Sequence, residues 1–503
     1  MALARLLSRG QSGIEAYEVL VEVHLAGGLP GFSIVGLPTT SVRESKDRVR
    51  AALQTSGHRV PASRITAHLG PAEIPKDGGR FDLAIALALV KADRELGWQT
   101  DSMEFLGELS LGGEVRGIHG VLPATLAAHA AGRSLIVPAA NAAEAAVVDG
   151  AEVYAASHLR EVIDHLNGAR MLSRVEHRRI GATGARCRDL SDVRGQPAAK
   201  RAVTVAAAGA HNLLMIGPPG SGKTMLAERL AGLLPALTWP EFLDSASLRS
   251  LAGEADAIDY AEEPPFRAPH HTISAQALVG GGSRPRPGEV SLAHLGVLFL
   301  DELPEFSRAA VEALREPLET GQVRISRVQE KRSFPARIQL IAAMNPCACG
   351  HFGDGTDRCH CTPSRIVQYR GRISGPLLDR FDLQIQVPRV SSREIGAHSG
   401  EPESPGTRRR IEGVRRRQVA RQGVLNAHIG DAALWDVLEL APDATSLLQR
   451  TAERWELSAR GAVRTLKLAR TIADLADSDA VSPEHVAEAL QLRCLERPAS
   501  PIS

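Results

Sequence analysis

The chain has 503 residues, which at about 150 residues per domain suggests about three domains. Hydrophobic residues make up 44% and aromatics only 4%, enough for large cores built mainly from Leu, Val and Ala. A net charge of +1 excludes any argument from global basicity, so nucleic-acid binding would need a local patch.

The first residues carry Arg5 and Arg9 but neither a signal-peptide core nor a cleavage site, and no apolar run approaches the roughly 20 residues of a membrane span. A cytoplasmic protein with no membrane partner is expected. Over residues 14–168, short β-like runs alternate with helical ones. Residues 17–24 have strand character, and residues 41–56 read as an amphipathic helix with Val42, Val49 and Leu53 on one side. Three stretches here, Pro75-Lys76-Asp77-Gly78, residues 107–115 and residues 127–132, resemble the proteolytic domain of Lon proteases. That resemblance implies a Ser-Lys dyad, with the serine at the position of Arg80 and the lysine at the position of Leu122. An arginine cannot act as the acyl nucleophile, and a leucine cannot deprotonate anything. The expectation is a Lon-like fold that is not a protease and serves binding or assembly. A peptidase built on another residue, such as Ser110, is the alternative.

Residues 170–188 are polar, basic and glycine-containing, as in a linker. Asp192-Val193-Arg194-Gly195-Gln196 then opens a helix over residues 197–210. Next comes an apolar run, Leu213-Leu214-Met215-Ile216, short enough for a buried strand. Behind it stand Gly217-Pro218-Pro219-Gly220-Ser221-Gly222-Lys223-Thr224 and a helix-like run over 225–231. Strand, glycine-rich loop, Lys-Thr and helix together make a phosphate-binding loop. Glycines let backbone N–H groups converge on phosphates, and the helix N-terminus adds positive potential. Lys223 would reach the β and γ phosphates of ATP, and Thr224 would offer a hydroxyl to Mg²⁺.

A second apolar strand, Val297-Leu298-Phe299-Leu300, ends in Asp301-Glu302. Both carboxylates would stand at the carboxyl edge of the sheet, Asp301 for the Mg²⁺ shell and Glu302 to position or deprotonate water. A third strand over residues 338–344 delivers Asn345, whose amide could orient that water. Within Gly375-Pro376-Leu377-Leu378-Asp379-Arg380-Phe381-Asp382, Arg380 is a candidate arginine finger for a neighbouring subunit; a salt-bridged helix end is its structural alternative. His270 and His271 lack a third ligand at sensible spacing, which favours a structural or loop-ordering role over metal.

Residues 321–337 read as a β-hairpin with Arg327, Lys331 and Arg332 near its turn, either a DNA contact or a solvated charged turn. Cys347, Cys349, Cys359 and Cys361 flank a glycine-rich stretch. In a reducing compartment that pattern suggests a tetrahedral Zn²⁺ site before disulfides, with four free thiols as the alternative. Residues 390–407 look like a loop or hinge. Arg408-Arg409-Arg410 and Arg415-Arg416-Arg417 follow on a helical run, and helices are expected over 444–455, 458–476 and 485–494, the last entered through Ser482-Pro483.

The phosphate loop, acid pair, Asn345 and Arg380 together resemble the AAA+ ATPases, in particular the clade of Mg-chelatase motor subunits and MCM helicases. Arg267-Ala268-Pro269-His270-His271-Thr272-Ile273-Ser274, Gly280-Gly281-Gly282 and Pro287-Gly288-Glu289-Val290-Ser291-Leu292-Ala293-His294 are chelatase-like. Ser458-Ala459-Arg460 resembles the sensor-2 arginine of the AAA+ lid, with Arg464 as the fallback. In that clade the hairpin lines a central pore and touches DNA. With the Lon-like region in front and the cysteine loop inside, nearly the whole chain resembles the ComM/YifB family. The resemblance implies an α/β protein with a Lon-like α+β domain at 1–170, an AAA+ parallel-sheet core at 189–390 and a helical lid at 391–503. It further implies a homo-oligomer, a hexamer, that spends ATP to move on DNA as a branch-migration helicase during transformation. A Mg-chelatase motor and a protein-remodelling ATPase are the rival expectations.

Overall fold

The computed structural model describes residues 2–177, 189–254, 262–282, 285–326, 331–390 and 403–496. They form two compact units. The first comprises Met1–Thr183 together with Leu243–Ala261 and Arg324–Phe334, and the second comprises Gly184–Phe242, Glu262–Val323 and Pro335–Ser503.

The first unit is built on a seven-stranded sheet of β1 (Ala2–Ser12), β2 (Glu15–Ala26), β3 (Gly31–Val35), β4 (Arg64–Gly70), β5 (Met103–Phe105), β8 (Ser134–Pro138) and β9 (Val153–Ala156), in the order β3-β4-β2-β1-β5-β8-β9. A small hairpin of β6 (Glu108–Leu109) and β7 (Val115–Arg116) stands beside it. β1 and β2 pair antiparallel from Ala2↔Leu25 to Ser12↔Glu15, and Val19, Val21, Val23 and Leu25 alternate into the core. Their buried faces meet the helix Asp82–Asp93, in which every residue from Asp82 to Val90 is buried. Asp82 is held in that core by Arg48, whose Nε lies 2.6 Å from its Oδ2. Burial raises the Asp82 carboxyl above its ordinary range, and the Arg48 hydrogen bond works against it. The amphipathic helix read over 41–56 is present as Thr40–Arg43 and Ser45–Thr55, with Val42, Val49 and Leu53 buried as expected.

The second unit carries a five-stranded parallel sheet of β10 (Leu213–Ile216), β11 (Phe266–Arg267), β14 (Val297–Leu300), β17 (Gln339–Met344) and β18 (Leu383–Gln386), in the order β11-β14-β17-β10-β18. One short pair, β12 (Gly280–Gly281) with β13 (Arg286–Pro287), belongs to this unit; a second, β15 (Gln322–Ser326) with β16 (Lys331–Pro335), has most of its residues in the first unit. All four residues of β10 are buried between β17 and β18. Continuous apolar runs of this kind are what a sheet covered on both faces requires. Because β10 lies between two later strands, the chain leaves it at a topological switch point, where the carboxyl ends open a crevice.

The C-terminal helices Ser404–Gln422, Pro442–Trp455, Ala459–Leu475 and Pro483–Gln491 share one core with this sheet and with helix Pro197–Gly209. His211 fastens the join. Its Nε2 lies 2.7 Å from the Thr471 hydroxyl, and its Nδ1 lies 3.5 Å from Asp382. The loop expected over 390–407 ends earlier than read. Pro405 sits in the first turn of the helix from Ser404, where its missing N–H costs nothing. Of the linker read over 170–188, residues 178–188 lie outside the described residues. No helix among the described residues is long and apolar enough to cross a membrane.

Candidate nucleotide and metal sites

Three strand ends meet at the carboxyl edge of the parallel sheet. β10 delivers Gly217, β14 delivers Asp301 and Glu302, and β17 delivers Asn345. The turn after β10 needs glycine for space and for conformation. A Cβ on Gly217 would stand 2.2 Å from the Val387 carbonyl, and Gly222 takes φ +87 with nothing within 4 Å of a Cβ position. Gly222 caps helix Lys223–Leu233 with no side chain on its first N–H groups, so they face the loop. That geometry suits an anion.

Lys223 is 8% exposed and donates to the carbonyls of Gly217 (2.7 Å) and Pro218 (2.9 Å), with Asn345 Oδ1 at 3.4 Å. Burial pulls its ammonium below the usual lysine range, while Asp301 and Glu302 hold it up. Thr224 Oγ1 donates to Asp301 Oδ2 at 2.9 Å, and Asp301 Oδ1 accepts the Glu302 N–H at 2.9 Å. A hydroxyl and a carboxylate brought together in this way are the donor set a hard, octahedral Mg²⁺ takes from protein. Glu302 is in the left-handed region at φ 53, and its exposed carboxylate lies 3.5 Å from His271 Nδ1. The rings of His270 and His271 lie 4.1 Å apart, tilted by 34°, and Phe306 stands edge-on to His271 at 6.5 Å. Sequence reasoning left His271 without a partner. The stretch after β11, one strand over from β14, brings it to the acid pair.

Other chelatase-like positions hold the fold together. Arg267 grips Glu289 through two hydrogen bonds of 2.7 and 2.8 Å. His294 Nδ1 accepts the Arg337 N–H at 3.0 Å, and burial pushes its imidazole down to about 4.

Arg380 lies at the opposite, amino edge of the same sheet, just before β18. Its Nη2 donates to Glu319 at 2.7 Å. A four-residue strand spans roughly 13 Å, so Arg380 and the phosphate loop of one chain stand on opposite sides of the sheet. Arg464 reaches Asp382 at 3.7 Å, whereas Arg460 is exposed and makes no hydrogen bond or ion pair among the described residues.

The four cysteine sulfurs lie within 4.8 Å of one another, with Cys347–Cys349 at 3.3 Å, Cys347–Cys359 at 3.8 Å and Cys349–Cys359 at 3.7 Å. Four thiolates about 2.3 Å from a tetrahedral Zn²⁺ stand about 3.8 Å apart, so the cluster fits that ion. The His351 N–H, foremost, draws the Cys349 thiol down to about 6.

The hairpin read over 321–337 is formed, as β15 and β16. Arg327 and the Lys331 side chain lie outside the described residues; Arg332 is half-buried in the first unit. At the Lon-like positions, Arg80 is buried. It donates to the carbonyls of Arg9 and His119, and desolvation pushes its guanidinium down to about 10. Leu122 is fully buried, and its N–H donates to Glu144 Oε1 at 2.9 Å. Glu144 also accepts the Ser250 hydroxyl, while Gly120 N–H donates to the Ser250 carbonyl at 3.1 Å. The alternative nucleophile, Ser110, accepts the Glu114 N–H inside a tight turn.

Known proteins resemble this chain along nearly its whole length. The competence protein ComM of Haemophilus influenzae is 45% identical over 99% of this chain and 98% of its own length. YifB of Salmonella typhimurium, described as uncharacterized, is 44% identical over 99% and 98%. The chain belongs to the ComM/YifB family of Mg-chelatase-like AAA+ proteins. Family descriptions match in three blocks: subunit ChlI of Mg-chelatase at 21–141, magnesium chelatase subunit ChlI at 189–395, and its C-terminal part at 401–493. The zygotic DNA replication licensing factor mcm6 of Xenopus tropicalis is 24% identical over 56% of this chain and 32% of its own length. The ComM/YifB family is thus one of AAA+ ATPases, and the nucleotide edge, Arg380 and the four cysteines of this member all fall in its 189–395 block.

Proposed function

We propose that the chain is an ATP-hydrolysing ring motor, a hexamer in the cytoplasm, that drives branch migration on forked or recombining DNA during natural transformation. The observation that carries the ATPase reading is the meeting of Lys223, the Thr224–Asp301 pair, Glu302 and Asn345 at one sheet edge. The N–H groups from Gly217 to Gly222, with Pro218, Pro219 and Ser221 shaping the turn, cradle the phosphates. Lys223 exchanges its two carbonyl partners for β- and γ-phosphate oxygens. Thr224 and Asp301 would hold Mg²⁺, which would supply positive charge beside the phosphates. Glu302 takes a proton from the attacking water, and Asn345 orients that water. Arg380, on the far edge, serves the phosphates of the adjacent subunit, and exposed Arg460 serves as the lid's sensor. Cys347, Cys349, Cys359 and Cys361 hold a structural Zn²⁺.

The DNA part of the reading is supported by similarity to a protein named for competence and to a DNA replication licensing factor. Arg327, Lys331 and Arg332 are its proposed contacts. The matches to magnesium chelatase favour a second reading, a motor that helps insert Mg²⁺ into a porphyrin. Strand displacement on a forked DNA substrate with ATP tests the first. Wild type should displace the strand and Lys223→Ala should not. Displacement by neither, with ATP turnover raised by a porphyrin–chelatase partner, would transfer the assignment to the second.

A further inference from the structure

The four-cysteine cluster is built onto the phosphate loop. Cys347 follows Asn345 by two residues and is fully buried, and Asn345 Oδ1 faces Lys223 Nζ at 3.4 Å. From Cys347 the chain turns tightly, with the Gly350 N–H donating to the Cys347 carbonyl at 3.0 Å. Gly350 takes φ +85 and presses on Pro219 of the phosphate loop. A Cβ there would stand 2.7 Å from Pro219 Cδ, 2.9 Å from its Cγ and 3.9 Å from Asn345 Cγ. The far side of the cluster is tied back to the same place. Thr362 caps helix Pro363–Arg370, and Arg370 Nε returns to the Pro346 carbonyl at 3.1 Å while its guanidinium lies over Phe352, 5.7 Å from the ring centroid. Gly350, between the two cysteine pairs, and Arg370, beyond them, therefore pack against Pro219 and Pro346.

We infer that Zn²⁺ on Cys347, Cys349, Cys359 and Cys361 and nucleotide on the Gly217–Thr224 loop bind cooperatively, the metal acting as a clamp on the nucleotide site. This rests on the zinc and nucleotide readings given above. The physical reason is the cost of order. Without a metal, four sulfurs within 4.8 Å of one another have nothing to offset their crowding, and the stretch from Cys347 to Cys361 gains conformational freedom by separating them. Gly350 then loses its fixed place against Pro219, and Asn345 its fixed place beside Lys223. A nucleotide binding the relaxed protein has to restore that order itself, so its affinity falls. Linkage requires the converse by the same factor, so bound nucleotide must tighten zinc. Cys349 is exposed, but the turn that carries Gly350 lies against Pro219 of the phosphate loop.

The test uses the full-length protein with its zinc quantified. Affinity for a fluorescent ADP analogue is measured with the metal in place and after stripping by a chelator. Zinc affinity is measured by competition with a chromogenic chelator, with and without ADP. Stripping should weaken ADP on the order of tenfold, ADP should tighten zinc by the same factor, and Lys223→Ala should remove the effect of ADP on zinc. Gly350→Ala keeps all four thiols and should retain zinc, yet bind ADP more weakly and with little dependence on the metal. If Gly350→Ala loses its zinc, the wild-type comparison decides alone. Equal ADP affinity with and without metal, or a wild-type protein purified without zinc, overturns the clamp. A zinc-loaded wild type that binds no nucleotide refutes the ATPase reading instead.

Discussion

Thr224 and Asp301 are 77 residues apart in sequence, yet the threonine hydroxyl donates to the carboxylate at 2.9 Å. Thr224 sits in the first turn of the helix after β10 and Asp301 directly follows β14, so parallel pairing through β17 between those strands brings them together. Glu302 follows Asp301 directly, so the carboxylates proposed for water activation and for metal binding are separated by a single peptide unit.

Nucleotide binding and hydrolysis should separate by mutation. Lys223→Ala removes the only ammonium on the loop and should abolish ATP binding in an equilibrium assay. Glu302→Gln keeps the shape and loses the base, so it should bind ATP and turn over roughly 10²-fold or more slowly. Unchanged turnover in Glu302→Gln would remove that residue from the chemistry.

Arg380→Ala should be inactive alone, because Arg380 stands at the sheet edge opposite its own phosphate loop. Mixed with Lys223→Ala subunits it should recover part of the hydrolysis rate, since some interfaces then carry an intact loop and an intact arginine. Mixtures that stay inactive count against a finger acting across subunits.

Asp474 is a stability determinant under acid. Its side chain is fully buried and accepts from Arg421 (2.7 and 3.0 Å), Arg470 (3.0 and 3.2 Å) and Asn426 (2.8 Å). Burial alone would raise its pKa, but the Arg421 hydrogen bonds and the Arg470 charge outweigh it and hold the carboxyl below its ordinary value of 3.8. A carboxylate with a depressed folded pKa contributes its full stability above the unfolded value. That contribution is lost as pH falls below about 4 and through the folded pKa. Asp474→Asn should therefore cost about 3–5 kcal/mol at pH 7, leaving Arg470 buried without its counter-ion, and should flatten the acid limb of the stability curve. Chemical denaturation at pH 7 and below pH 4 measures both. An unchanged acid limb would show that the pair is not what acid breaks.

The phosphate loop, the acid pair and the helix starts were legible because each is local chemistry written in consecutive residues. Ser458 does accept the Gly461 N–H at 3.1 Å, and Ser482 does open its helix with a capping box. The helix Asp82–Asp93 escaped notice because burial on all sides leaves no 3.6-residue polar pattern to detect. In sequence the β1 stretch offers only Arg5, Arg9 and the lack of a signal-peptide core; its role appears only against β2. Distant partners outside those motifs were beyond reach. Nothing near Arg380 points to Glu319, nothing near Glu302 points to His271, and Arg464 is taken by Asp382 only because β18 and the lid helix Ala459–Leu475 share a core.

Arg327→Ala with Lys331→Ala should leave basal ATP hydrolysis largely intact and abolish its stimulation by DNA. Phosphate contacts are sequence-independent and salt-sensitive, so wild-type DNA binding should weaken steeply with salt, and the double variant's slope should be shallower by up to about two. A variant that unwinds forked DNA like the wild type would show that these hairpin residues are not the DNA contacts.

The ATP turnover rate of the wild-type protein with Mg²⁺, measured with and without forked DNA, decides whether the chain is a DNA motor. The basal rate should rise several-fold on adding the fork and be absent in Lys223→Ala under both conditions. Turnover that is indifferent to DNA contradicts the motor's proposed substrate. No turnover at all contradicts the ATPase itself.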